Sequence, residues 1–245
     1  MGGRVRQGAI VACIFCIAAP SASADPIEIG HIPECTELVP AAIAPPSSER
    51  RPLVARVLLD GVDAAQATGY TTQAVRAYDG VGIDFVVDAY EPVAFPGDDA
   101  QGLIDQAKAH FGGVRPPGTD VVYTLTSKDI QAGGQTAVAG LADCIGGVAF
   151  PDRAFAVGEV LTPDAVDLGV ATFTSNLTAK VFAHEVGHLM GAHHHYANCA
   201  EGIPSDPNEV GTPCTLMFND VGLVSLVFSA VNGVVVRGHS EAFTG

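Results

Sequence analysis

The alternation of apolar and polar positions divides this chain into a small set of elements. Leu53 to Leu59 and Ile83 to Ala89 are rich in β-formers and predict two strands, with a short helix over Thr71 to Tyr78 between them. Asp98 or Asp99 can cap a second helix whose apolar positions Leu103, Ile104, Ala107 and Phe111 fall at helical spacing, and Gly112-Gly113 ends it. Asp120 to Thr126 predicts a third strand, and Ile145 to Phe150 and Phe155 to Leu161 two more. A helix over Leu177 to Met190, capped by Ser175 or Asn176, is apolar nearly all round through Val181, Phe182, Val186 and Leu189, which predicts burial. Val221 to Val236 carries no charge, but its 16 residues are interrupted by Ser225, Ser229, Asn232 and Gly233. That is short of the ~20 apolar residues a membrane span needs, so a helix packed inside the protein is expected there, followed by a frayed tail. Helices alternating with strands, then strands, then one helix, predict an α/β sandwich with a mixed sheet.

With 245 residues, 48% of them hydrophobic, the chain is long enough for one domain with a substantial core plus processing segments. Met1 to Ala24 has the pattern of a secretory signal peptide: a basic start at Arg4 and Arg6, an apolar run from Ala9 to Ala19, and Ala22-Ser23-Ala24 before Asp25. Asp25 to Pro52 is proline-rich and reads as an N-terminal extension or short pro-segment, leaving a domain from 53 to 245. The net charge of −15 becomes more negative once the leader and its two arginines are removed. Such a surface disfavours nucleic-acid binding, which needs cations against phosphate. Four cysteines then remain, and an even count in a secreted chain points to two disulfides. Of the three possible pairings, Cys199–Cys214 would close a loop, leaving Cys35–Cys144.

The densest chemistry lies in His184-Glu185-Val186-Gly187-His188-Leu189-Met190-Gly191-Ala192-His193-His194. Residues four apart share one helix face, so His184 and His188 can aim two imidazoles at one ion. Gly191 can adopt the conformation that ends a helix, allowing His194 to swing back as a third ligand. Three neutral imidazoles with one open position make a catalytic zinc site, and Glu185 sits beside it as the general base. His193 and His195 fall off the spacing and are expected to be exposed or supporting; Tyr196 has no assigned role.

This extended motif resembles that of the metzincin metalloproteases. Asp120 to Thr126 followed by Lys128-Asp129, then Gly147-Val148-Ala149, the zinc helix and Cys214-Thr215-Leu216-Met217 resemble the order of the adamalysin, or reprolysin, branch over roughly Leu53 to Val235. The resemblance implies a mixed, mostly parallel twisted sheet, an active-site helix and a small irregular C-terminal subdomain. It implies one catalytic Zn2+ and a methionine turn at Met217 beneath the histidines. It also implies that Gly147, Val148 and Ala149 form the cleft-edge strand to which a peptide adds. In some relatives a pro-segment cysteine caps the zinc, a role open to Cys35 beside the disulfide. Two positions depart from the pattern: His195 stands where an acid usually follows the third ligand, and Asn219 where other branches place a tyrosine. The expectation is a secreted, extracellular, monomeric zinc endopeptidase acting on protein or peptide, with no membrane span in the mature chain. The rival readings are a zinc-bearing binding or toxin-like protein and a zinc hydrolase of non-peptide amides. No Gly-x-Ser-x-Gly occurs, which disfavours a serine hydrolase.

Overall fold

A computed structural model describes residues 35, 42–45, 47–135, 138–161, 171–194, 215–217 and 226–245, with side chains of the 171–194 helix from Leu177 onward. The signal-peptide assignment, His195, Tyr196, Cys199, Cys214 and Asn219 lie outside the described residues.

Strand β1 (Arg51–Asp60) leads through α1 (Ala64–Asp79) to β2 (Ile83–Val93), and α2 (Ala100–His110) leads to β3 (Val121–Thr126). β4 (Gly140–Ala142) and β5 (Phe155–Glu159) follow, then α3 (Ala171–Leu189) and α4 (Ala230–Phe243). The strands form one five-stranded sheet in the order β2-β1-β3-β5-β4, parallel throughout except for β4. The first crossover runs to one side of β1 and the second to the other. Right-handed connections therefore put α1 and α2 on opposite faces. α3 packs beside α1. Every residue of the central strand β3 is buried, as a parallel strand covered on both faces requires. Between the sheet and α3, Phe85 stacks on Phe182 and Tyr123 leans on the same ring, while Tyr78 of α1 meets Phe85 and Phe228 edge-on. The Tyr78 hydroxyl donates to the Ala183 carbonyl of α3 at 2.8 Å, so this aromatic layer sets the height of α3 over the sheet.

Several boundaries differ from those the sequence predicts. α1 starts at Ala64, because Asp63 accepts hydrogen bonds from the N–H groups of Ala65 and Gln66. Gly69 does not interrupt it; its missing side chain faces open space. α3 starts at Ala171, so Ser175 and Asn176 lie within the helix instead of capping it. No glycine or proline stands between Ala171 and Val186, and polar residues there cost only tenths of a kcal/mol each.

The strand expected over 145–150 is absent. Gly147–Ala149 instead forms a single 3-10 turn, entered through Gly146 at φ +84° and closed by the Ala149 N–H donating to the Gly146 carbonyl and the Phe150 N–H to the Gly147 carbonyl. Its apolar side chains read as a strand because the turn is buried. The three-residue β4 takes the sheet edge instead. The frayed tail expected after Val236 is also wrong. α4 runs to Phe243, capped at Ser229, with Arg237 buried and donating to the Gly82 carbonyl and to Glu241.

Where it is described, the segment before β1 is fastened to the domain. Cys35 is disulfide-bonded to Cys144, and its N–H donates to the Ile145 carbonyl. Farther on, the Ala44 N–H donates to the Val234 carbonyl of α4.

Candidate active site

α3 supplies most of the site, and its C-terminal end is built by glycine. Gly191 has φ +86°, its N–H donates to the His188 carbonyl at 2.8 Å, and the Ala192 N–H donates to the Gly187 carbonyl at 2.9 Å. These paired bonds to the last turn form a Schellman cap, which ends the helix and turns the chain back. The turn brings His194 to the two rings already on the helix. Nε2 of His184 lies 2.9 Å from that of His188 and 3.2 Å from that of His194, and the last pair is 3.1 Å apart.

The opposite nitrogens fix the proton positions. His184 Nδ1 donates to the Leu216 carbonyl and His188 Nδ1 to the Ala192 carbonyl, both at 2.8 Å. Carbonyls only accept, so both rings carry hydrogen on Nδ1 and present a lone pair at Nε2. Burial holds both rings far below the ordinary imidazole range, and the neighbouring histidines push the same way. Neutral imidazoles are what a metal requires. Lone pairs that converge without a proton between them repel unless a cation stands among them. Tetrahedral zinc with nitrogens at ~2.0–2.1 Å would space its ligand atoms by about 3.3 Å, close to the separations present. The three histidines therefore fit a zinc ion, and they are the group able to hold a metal among the described residues. His193 is exposed and contributes no atom to this set.

Glu185 is fully buried beside the rings, and neither carboxylate oxygen makes a well-formed hydrogen bond among the described residues. Burial raises its pKa well above the carboxylate range, and the nearby Ala142 N–H offsets this only partly. A lone acid kept from water, next to a cation site, is equipped to exchange a proton.

Met217 and Leu216 are both buried in a turn under α3. The Met217 sulfur lies 2.8 Å from where a β-carbon on Gly187 would stand, between the helix positions of His184 and His188. The turn thus does two things: Met217 packs against α3 at Gly187, and the carbonyl of Leu216 sets the tautomer of His184.

Gly147, Val148 and Ala149 do not face the site as an edge strand. Gly146 N–H donates to the His188 carbonyl at 2.8 Å, so this turn buttresses the end of α3. The open sheet edge beside Glu185 is β4, through a residue with no sequence signal: a β-carbon at Gly140 would stand 2.6 Å from Glu185 Oε1. Cys35 is held in its disulfide and is not a metal ligand.

The family model described as metallo-peptidase family M12B, reprolysin-like, matches residues 67–195. No curated protein matches the chain. Among solved structures, an archaemetzincin from Methanopyrus kandleri is similar at 20% identity, with a TM-score of 0.51, covering 81% of this chain and 99% of that one. A zinc-dependent peptidase from Methanocorpusculum labreanum is similar at 14% identity, with a TM-score of 0.50, covering 74% of this chain and 99% of that one. At these identities the two structures speak to the fold.

Proposed function

The chain belongs to the reprolysin-like M12B metallopeptidase family and is a zinc metallopeptidase, and from that premise we propose a secreted endopeptidase in which Glu185 is the general base. His184, His188 and His194 hold the zinc. Once bound, the ion supplies Lewis acidity, making a water easier to deprotonate and stabilising negative charge on a carbonyl oxygen. Glu185 accepts the proton of the attacking water and then donates it to the departing amine, so one carboxyl group serves both halves of the reaction. Its raised pKa suits the second task, and the cation beside it suits the first, because a positive neighbour favours the ionised form.

The substrate backbone lies antiparallel along β4 and not along 147–149. β4 pairs with β5 on one side only, and its outer edge has no strand partner among the described residues. Free main-chain donors and acceptors on such an edge can hold an extended peptide regardless of its side chains. Gly140 brings this edge against Glu185, which puts a peptide on β4 within reach of the base. Secretion is supported by the leader-like residues 1–24 and by the Cys35–Cys144 disulfide, a bond of oxidising compartments. Among the described residues, no helix is long and apolar enough to cross a membrane.

The observation that carries this reading is the convergence of three histidine Nε2 atoms next to a buried carboxylate that makes no well-formed hydrogen bond among the described residues. Incubation of the purified protein with a protein substrate, with chelator and then with restored zinc, tests it. Internal peptide-bond cleavage that stops with chelation and returns with zinc is expected. Cleavage indifferent to chelator, or none in zinc-loaded protein, would refute it, and an N-terminus other than Asp25 on exported protein would refute the leader assignment.

A further inference from the structure

The third histidine sits on a segment that has already left α3, and α4 grips that segment from the far side. Asn232, in the first turn of α4, makes two hydrogen bonds to one residue. Its Oδ1 accepts from the His193 backbone N–H at 3.1 Å, and its Nδ2 donates to the His193 backbone carbonyl at 2.9 Å. The amide thus imitates the edge of a neighbouring strand. One bond fixes the peptide plane before His193. The other fixes the plane after it, which is the plane carrying the nitrogen of His194.

Asn232 is itself held. It is only 6% exposed, and its own N–H donates to the Ser229 hydroxyl that caps α4. A second contact from the same helix reinforces the grip: the His239 ring lies directly against Gly191, where any side chain would collide with it. α4 therefore touches the chain at Gly191, where the helix ends, and at His193, just before the last ring. Only a side chain with both an acceptor and a donor at its tip can close the pair of bonds at His193. Aspartate keeps the acceptor and loses the donor, and alanine loses both.

We propose that Asn232 is a positioning residue for the metal site, holding the backbone so that His194 Nε2 meets the other two rings. It touches neither metal nor substrate, and the inference rests on the assignment of His184, His188 and His194 as ligands. A metal ion gains from ligands fixed before it arrives, and loss of such supporting groups typically costs 10–100-fold in metal affinity.

Zinc affinity of the full chain, measured by competition with a chromogenic chelator, tests this, together with melting of the metal-free proteins. Asn232→Ala and Asn232→Asp are compared with Val236→Ala, which removes buried apolar volume from the same helix and leaves both Asn232–His193 hydrogen bonds in place. Both Asn232 variants should bind zinc about 10–100-fold more weakly. Val236→Ala should melt at lower temperature yet bind zinc as the wild type does. Unaltered affinity in the Asn232 variants, or an equal loss in Val236→Ala, would overturn the proposal. Wild-type protein that takes up no zinc would instead sink the ligand assignment on which it rests.

Discussion

Gly140 of β4 lies so close to Glu185 of α3 that a β-carbon at 140 would stand 2.6 Å from the carboxylate oxygen and 2.8 Å from a methyl of Val181. Gly158 faces it across the strand pair, so two glycines open one notch in the sheet against the helix. Filling the notch must move either the base or the edge strand. Gly140→Ala should reduce kcat by about 10²-fold, the scale of an ångström-sized misplacement, and cost roughly 1–3 kcal/mol of stability through overpacking. Steady-state kinetics and thermal melting check both, with zinc content expected to stay unchanged.

Glu185→Gln should retain zinc and lose about 10²–10⁴-fold in kcat. The amide has the same shape and removes a buried group whose charged form is penalised, so the variant should melt no lower than the wild type. Kinetics alongside metal analysis separates this from damage to the ligands. Near-normal turnover would end the general-base assignment.

Glu159, at the end of β5, provides a test of pH dependence away from the metal. Burial raises its pKa to about 7, against a lowering hydrogen bond from the Ile130 N–H, and nearby Asp129 adds to the rise. Its unfolded value is near 4.5. The folded state therefore holds the proton more tightly, and this group's contribution to stability is lost as pH rises from about 4.5 to about 7. Glu159→Gln keeps an acceptor for Ile130 and removes the charge. It should leave melting nearly unchanged at pH 4.5 and stabilise the protein at pH 8, by about 1–3 kcal/mol after allowance for partial exposure. An equal effect at both pH values would contradict the burial argument.

The disulfide spans a sequence separation of 109 residues. Replacing Cys35 and Cys144 by serine should cost about 2–4 kcal/mol, read as a lower melting temperature without reductant. Hydrolysis at temperatures where the variant stays folded should match the wild type. A rise in activity on losing Cys35 alone would point instead to a thiol restraining the metal.

The parts of the fold carried by local pattern were readable beforehand. β1, β2 and β3 announce themselves as β-rich runs, Asp99 caps α2 as its spacing implies, and the histidine spacing selects His194 over His193. What the sequence hid depends on distant partners. β4 is too short for any periodicity, and nothing local marks Gly140 as the point where the sheet edge meets Glu185. The 147–149 turn imitates a strand because both are apolar when buried, and the positive φ of Gly146 that starts it exists only in the folded chain. Arg237, His239 and Ser240 look like surface residues, yet they are buried, with hydrogen-bond partners supplied by other elements or by their own helix. Asn232 finds its partner 39 residues away, a pairing no window on the sequence contains.

Cys35 sits upstream of the whole sheet yet is bonded to a residue just past β4. Any backbone nick in the stretch joining Cys35 to β1 would therefore separate two polypeptides that still travel as one particle. On a gel without thiol the nicked enzyme would run undiminished, and only reduction would release the small amino-terminal fragment. A maturation cut at that place would change which chain ends are exposed without shedding any mass.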